Sequence, residues 1–343
     1  MQQQVEETSR DAVLVEDSVL IRMMGMPVLE ALPSRRAPYE LVDPFILVHE
    51  ARFRPSEMAG KDTKHPHRGF DNLWYVLQGS ASTGHTTGPG GSVERARLSE
   101  GSLLALRTGR GAWHAEAVGA DEVEEGLGDT EFRSVLFWVN LARKDKHVEP
   151  TAQVLHRDEI PVRQEGDATV RVLVGEGSPV HLGTPALILD VELPEGGGVT
   201  TPVPPEFQGF TYVLEGEAAF GANRRPARPP QLVLLGPGEA FTVTDAAPGT
   251  RFLLMAGRPY REAPCSTGRS WSSDPRDANP SCDLPTRPRH GGVHPVLGFG
   301  EVARNRGVTS SGPTHVLRRQ FSEWSGTPLQ GPAVAVGIAE KGK

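Results

Sequence analysis

Two stretches of this chain carry one pattern. "NLWYVLQGSASTG" at 72–84 and "GFTYVLEGEAAFG" at 209–221 share the order Tyr, Val, Leu, polar, Gly, followed by small residues. A second pair, "LSEGSLLALRTG" at 98–109 and "LLGPGEAFTVTD" at 234–245, sets a Gly-containing turn before an apolar run in each half. A recurring unit folds the same way twice, so the chain is constrained to two related modules in tandem. Their kind follows from the other runs: "SVLIRMM", "DPFILVHEARF" and "VLFWVNL" in the first half, "ATVRVLVGEG", "PALILDVELPEG" and "TRFLLMAGRP" in the second. Each is short, rich in Val, Leu, Phe or Trp, and bounded by Gly, Pro or Asp, as strands of a sandwich or barrel are. With 39 Gly and 30 Pro in 343 residues, breakers come too often for long helices.

The expected fold is therefore all-β, two tandem antiparallel β-barrels followed by a poorly ordered C-terminal tail. Residues 1–18 read as a flexible charged leader and 19–145 as the first barrel. At 146–165 charge rises and the strand pattern lapses, which reads as a linker, with "DKHVEPTAQVLHRDEI" admitting a short helix. The second barrel spans 166–264. Residues 265–343 are rich in Ser, Pro, Arg and Asp, with ten Lys+Arg against six Asp+Glu. Such a segment has too little apolar surface to offset its ordering entropy, so disorder is expected.

Several function classes are excluded by composition. A net charge of -7 gives no footprint for nucleic acid or an anionic membrane. No run approaches the roughly 18 apolar residues of a membrane span. The polar, acidic start "MQQQVEETSRDAVLVEDS" lacks the form of a signal peptide. Cys265 and Cys282 are too few for a disulfide framework, and no CxxC pair is present. An intracellular monomer, cytoplasmic or nuclear, is expected.

Against this background "KHPHRGFDN" at 64–72 stands out, because only 11 His occur in the whole chain. On a strand, positions i and i+2 point to the same side, so His65 and His67 form half of a metal site. "TGRGAWHAEAVG" at 108–119 repeats the spacing with His114 and Glu116. A lone HxH is more often a pair of surface or packed imidazoles. Two such pairs in one all-β module solve one geometric problem, and three imidazoles with a carboxylate suit a divalent first-row metal. Iron(II) leads for oxygen chemistry, and zinc, manganese, nickel or copper accept the same ligands. The matching segment of the second half, "VPPEFQGF", has no histidine, so one barrel is expected to carry metal and its twin none.

"HPHRGFDNLWYVLQG", "TGRGAWHAE" and "LFWVNL", with "DPFILVHEARF" and "TPVPPEFQGFTYVLEGE", resemble the pirin family of the cupin superfamily over about residues 19–264. The resemblance implies a bicupin with a metal, usually iron, in its N-terminal barrel, held by His65, His67, His114 and Glu116. The chain departs from the pattern at Asp71, where Glu is usual, and at "RTGRGAW", where "TAGRGI" is common. The family's C-terminal segment, which normally closes against the N-terminal barrel, is not recognisable after "AGRPYREAP".

Some members of that family are flavonol (quercetin) 2,3-dioxygenases, which implies a flavonol-like substrate here. Glu116 is then the base that takes the proton of the substrate's 3-hydroxyl. Phe70, Trp74, Leu106 and Trp113 are expected to wall the pocket, with plain core packing as the alternative for each. Other members act as iron-dependent interaction proteins, so the rival expectation is a redox-sensing module with a protein partner. Arg68 is expected to pair with Asp71, and Arg110 either steadies its turn or guides an anion. Gly69, Gly109 and Gly111 read as backbone requirements. Of the other histidines, His85 alone is expected near the metal.

Overall fold

Alternating and continuous apolar runs become strands in a computed structural model that describes residues 8–23, 25–58, 63–118 and 129–262. In the first half the strands are β1 (Ala12–Asp17), β2 (Val19–Met23), β3 (Met26–Leu32), β4 (Phe45–Phe53), β5 (His65–His67), β6 (Phe70–Gln78), β7 (Ser80–His85), β8 (Glu94–Ser99), β9 (Leu103–Arg107), β10 (Ala112–Val118) and β11 (Phe132–Asn140). The second half supplies β12 (Thr151–Leu155), β13 (Val162–Glu165), β14 (Ala168–Val174), β15 (Ala186–Leu193), β16 (Val199–Pro202), β17 (Gln208–Glu215), β18 (Ala218–Phe220), β19 (Arg225–Ala227), β20 (Gln231–Leu235), β21 (Ala240–Thr244) and β22 (Thr250–Gly257). The one α-helix among the described residues, Tyr39–Val42, is a single turn. No helix among them is long and apolar enough to cross a membrane.

Each half pairs a seven-stranded antiparallel sheet with a four-stranded one. The first barrel uses the order β12-β9-β6-β11-β4-β3-β2 and, opposite, β5-β10-β7-β8. The second uses β1-β20-β17-β22-β15-β14-β13 and β16-β21-β18-β19. The fold is thus all-β with two like modules in tandem, as the repeat predicts, and agrees with the bicupin that the resemblance implies.

Parity along the strands separates two cores. On β6, Trp74 and Val76 face the first barrel's interior and join Leu104, Leu106, Phe132, Ala81, Leu98 and Ala112 in one apolar cluster. The alternate residues Leu73, Tyr75 and Leu77 face the other way, into a larger cluster shared with Phe45, Phe137, Phe210, Tyr212 and Leu253 of both halves. The seven-stranded sheets therefore pack against each other, and the four-stranded sheets close the barrels on the outside. Phe45 and Phe210 meet edge-on across this junction at 5.3 Å.

Two boundaries differ from expectation. Within the expected flexible leader, residues 12–17 form β1, an edge strand of the second barrel paired with β20. Ala12 and Leu14 turn inward there, and the buried Arg10 guanidinium donates to the carbonyls of Phe207, Gly236 and Pro204. The expected linker contains β12, which pairs with β9 of the first barrel, and β13, which pairs with β14 of the second. In place of a helix near 146–159 there are 3₁₀ turns at Arg143–Asp145 and Arg157–Glu159. The expected tail, 265–343, lies outside the described residues.

Candidate metal centre

The four donors arrive on two neighbouring strands. β5 and β10 pair antiparallel, with His65 opposite His114 and His67 opposite Ala112. Directly opposed residues share a face, so alternation carries His65, His67, His114 and Glu116 to the side that looks into the first barrel. The turns that lead to these strands are tied by Gly69, whose N–H donates to the Gly109 carbonyl at 2.9 Å. Gly109 has φ +43° and its Cα faces the Val148 carbonyl so closely that a Cβ would collide with it. Glycine is required there, as the sequence suggests.

Inside the barrel His65 Nε2 lies 3.0 Å from His67 Nε2, and His114 Nε2 lies 2.9 Å from Glu116 Oε1. The His67 ring centroid is 4.5 Å from that of His65 and 5.6 Å from that of His114. His114 is fully buried and His67 nearly so. Among the described residues, no group of three or more His, Cys, Asp or Glu side chains has the arrangement of a formed metal site. The four donors instead pair off, imidazole to imidazole and imidazole to carboxylate.

The donor chemistry nevertheless fits a cation. His65 Nδ1 donates to the Thr63 carbonyl, which turns Nε2 toward a second ring nitrogen, His67 Nε2. A backbone carbonyl fixing the far nitrogen is the usual way a ligating imidazole is oriented. The Thr63 hydroxyl accepts from the Glu116 N–H at 2.9 Å and donates to the Glu116 carbonyl, locking this strand to β10. Thr83, opposite Glu116 on β7, puts its hydroxyl 3.4 Å from His114 Nδ1.

Burial, reinforced by the neighbouring imidazoles, holds His67 well below the ordinary imidazole pKa. Burial also lowers His65, against the opposing pull of Glu116. Neutral rings are the form that binds metal. Burial disfavours the Glu116 carboxylate, but the hydrogen bond from His114 and the electrostatic interaction with His114 and His65 outweigh it, and its pKa falls below the ordinary value.

The expected pocket residues divide. Phe70 stacks on Trp138 at 4.3 Å, and both rings lie within 5.3 Å of His67. Trp74 meets His114 edge-on at 6.5 Å while its Nε1 donates to Ser134 Oγ. Leu106 is fully buried in the interior apolar cluster. Trp113 points the other way, as the neighbour of an inward-facing residue on a strand must, and carries Lys64 Nζ over its ring at 5.2 Å. It is no wall of this interior. His85 does come to the site, opposite His114 on β7 and 2% exposed. Trp138, Thr63 and Thr83 were not singled out from sequence. Only Thr63, two residues before His65 in an extended run, carried a usable signal, the same-face spacing.

Arg68 does not reach Asp71, which lies on the opposite face of β6 and pairs with Arg107 at 3.1 Å and the Gly183 N–H at 2.7 Å. Arg68 sits instead 3.4 Å from His147 Nδ1. Arg110 pairs with Glu149 at 2.8 Å, an exposed contact beside its turn.

The second barrel repeats the frame with different contents. Glu116 lies opposite Thr83 as Val243 lies opposite Phe220, and Thr83 and Phe220 hold the same place in the sequence repeat. Thr201 lies opposite Phe241 as His65 lies opposite His114. The positions of His65, His67, His114 and Glu116 are thus taken by Thr201, Val203, Phe241 and Val243, each no more than 2% exposed. Phe220 packs edge-on against Phe252 at 5.5 Å and fills the space.

Residues 188–269 match the family model for the pirin C-terminal cupin domain. A pirin-like protein of Solanum lycopersicum is 32% identical over 253 residues, covering 72% of this chain and 78% of that protein. Among solved structures, a quercetin 2,3-dioxygenase from Acinetobacter baumannii superposes with a TM-score of 0.64 at 22% identity, over 74% of this chain and 89% of that one. The bacterial pirin YhhW from Escherichia coli, solved in complex with nickel(II), superposes with a TM-score of 0.55 at 13% identity, over 74% and 99%. The fold, the paired barrels and the identity to the tomato protein place this chain in the pirin family.

Proposed function

We propose that this protein is a metal-dependent oxidoreductase of the quercetin 2,3-dioxygenase type, with His65, His67, His114 and Glu116 as ligands and iron(II) as the working metal. The observation that carries the proposal is the contrast between the barrels: four convergent donors in one, and Thr, Val, Phe and Val at the same register positions in the other. The name of the structural relative from Acinetobacter supplies the substrate class, a flavonol. Bound among these ligands, the metal supplies Lewis acidity toward the substrate's hydroxyl oxygen and a redox couple for oxygen. The chain's own groups do the rest. Glu116, held ionised by His114 and His65, is the acceptor for the hydroxyl proton. Phe70 and Trp138 present stacked aromatic faces beside His67 for a planar ring to lie against.

The test is iron loading without oxygen, metal analysis, and oxygen uptake with quercetin by wild type and His65→Ala. Stoichiometric iron with turnover that falls by about 100-fold or more in the variant is the expected result. Iron retained without turnover would transfer the site to the alternative, a redox-sensing module for a protein partner. Failure of wild type to hold any first-row metal would remove the ligand assignment.

A further inference from the structure

The first barrel has a second polar wall that the four donors leave unused. On its long sheet the registers of β4, β11 and β6 set His49 opposite Leu136 opposite Trp74, and Leu47 opposite Trp138 opposite Asn72. These six residues share the interior face, since Trp138 reaches His67 and Trp74 reaches His114. Two of the six are polar. Asn72 is 0% exposed, and neither its Oδ1 nor its Nδ2 has a hydrogen-bond partner among the described residues. His49 is 4% exposed, with Nε2 3.0 Å from Glu30 Oε2 on β3 and Nδ1 without a partner. Nε2 donates to the Glu30 carboxylate, which leaves Nδ1 as the ring nitrogen without a partner.

Buried polar groups are paired in most proteins, and an unpaired one weakens the fold. What faces them is visible in β11. It is the middle strand of seven, and Val135, Phe137 and Val139 on its far face are 0% exposed. Leu136 and Trp138, on the near face, are only half-buried. Leu136 packs on the interior apolar cluster and Trp138 on His67 and Phe70, yet both keep part of their surface exposed, so an opening reaches the interior on this side. Half-buried Phe70, stacked on Trp138, stands at the edge of that opening beside Asn72. A ligand that shifts this aromatic pair reaches the amide. His49 and Asn72 stand two strands apart, about 10 Å across the sheet, a span that a multi-ring planar molecule covers.

We infer that Asn72 and the Glu30-held His49 determine specificity, pairing hydroxyl groups on the part of a planar aromatic ligand remote from the four donors. The inference rests on the flavonol reading of the site and adds which groups of the ligand are read. The Asn72 carboxamide presents an NH2 donor group and an acceptor oxygen, and His49 presents Nδ1, so ring hydroxyls, which both donate and accept, pair all three where an unsubstituted ring leaves them buried and unpaired.

The test uses the full chain loaded with zinc, which is redox-silent, and follows tryptophan fluorescence on titration with quercetin and with 3-hydroxyflavone. The second compound keeps the 3-hydroxyl and its neighbouring carbonyl but lacks the peripheral hydroxyls. Wild type is expected to prefer quercetin by about 10-fold or more. Asn72→Leu, which keeps branching and heavy-atom count, and His49→Phe are each expected to bring the preference within about 3-fold, with 3-hydroxyflavone affinity held within about 2-fold. Without ligand, Asn72→Leu is expected to melt at or above the wild-type temperature, since it replaces an unpaired amide; an amide with a purely structural role would melt lower and overturn the inference. Since the two variants are separate proteins, misfolding of one leaves the other to decide. Binding of both compounds with no preference in wild type, or a preference unchanged in the variants, overturns the inference and leaves the flavonol reading intact. If wild type binds neither compound, both fall.

Discussion

At the scale of single residues the proposed site depends on the groups that hold its four donors as much as on the donors. Thr63 grips the Glu116 backbone with its hydroxyl and the His65 ring with its carbonyl. Thr63→Val removes only the hydroxyl, and zinc affinity measured by chelator competition is expected to fall about 10-fold; unchanged affinity would show that β5 and β10 align the donors unaided. Burial also gives the empty site a pH signature. His67 has a folded-state pKa well below the ordinary value of about 6.5, so its neutral form is the one the fold favours. Its contribution is intact above that ordinary value and is lost as pH falls through the window beneath it, where the unfolded chain takes up a proton the folded one resists. Thermal melts of chelator-stripped protein should decline from pH 7 to 5.5, less steeply for His67→Gln; equal slopes would assign the decline to other groups. The i, i+2 spacing made the shared face of these four residues legible in the sequence, and the same parity sets Trp113 on the far face from His114. His49 was not legible, because its partner Glu30 lies on an adjacent strand that no spacing rule connects.

Among the elements, β1 ties the start of the chain to the second barrel. Its alternation is short and sits among acidic residues, so it reads as a solvated leader; pairing with β20 and the anchoring of Arg10 decide otherwise. The Arg10 guanidinium is 1% exposed and satisfies three carbonyls within 3.1 Å around Phe207 and Gly236. Arg10→Met fills much of the space but strands those acceptors, and is expected to cost about 3 kcal/mol in urea denaturation. A loss below about 1 kcal/mol would mean that solvent replaces the guanidinium. β12 escaped notice for a related reason. "TAQVL" is only five residues among charges, and its place on β9 comes from docking, a tertiary choice that local pattern does not encode.

For the whole molecule, the duplication seen in the sequence returns as a pair of matched contacts between the barrels. Tyr75 and Tyr212 occupy the same place in the repeat, and each reaches across the junction. Tyr75 donates to Asp190 at 2.7 Å, and Asp190 is held by Arg251 at 2.9 and 2.7 Å. Tyr212 donates to Glu50 at 2.7 Å, and Glu50 is held by Arg133 at 2.6 Å. Burial and the adjacent carboxylate push both phenols far above their ordinary pKa, so both remain donors. Each barrel thus supplies a tyrosine to the other's buried ion pair, inside a core that runs through both halves. Such a junction should make the barrels unfold as one. Calorimetry is expected to show a single transition, raised as a unit by metal although the donors lie in one barrel. Glu50→Gln leaves Arg133 with the exposed Glu215 as its remaining counter-charge at a cost of about 3 kcal/mol, and should lower that transition by about 6 to 12 °C without dividing it. Two transitions, only one of them responsive to metal, would show instead that the barrels are stable separately and that the tyrosines merely fill a contact between finished domains.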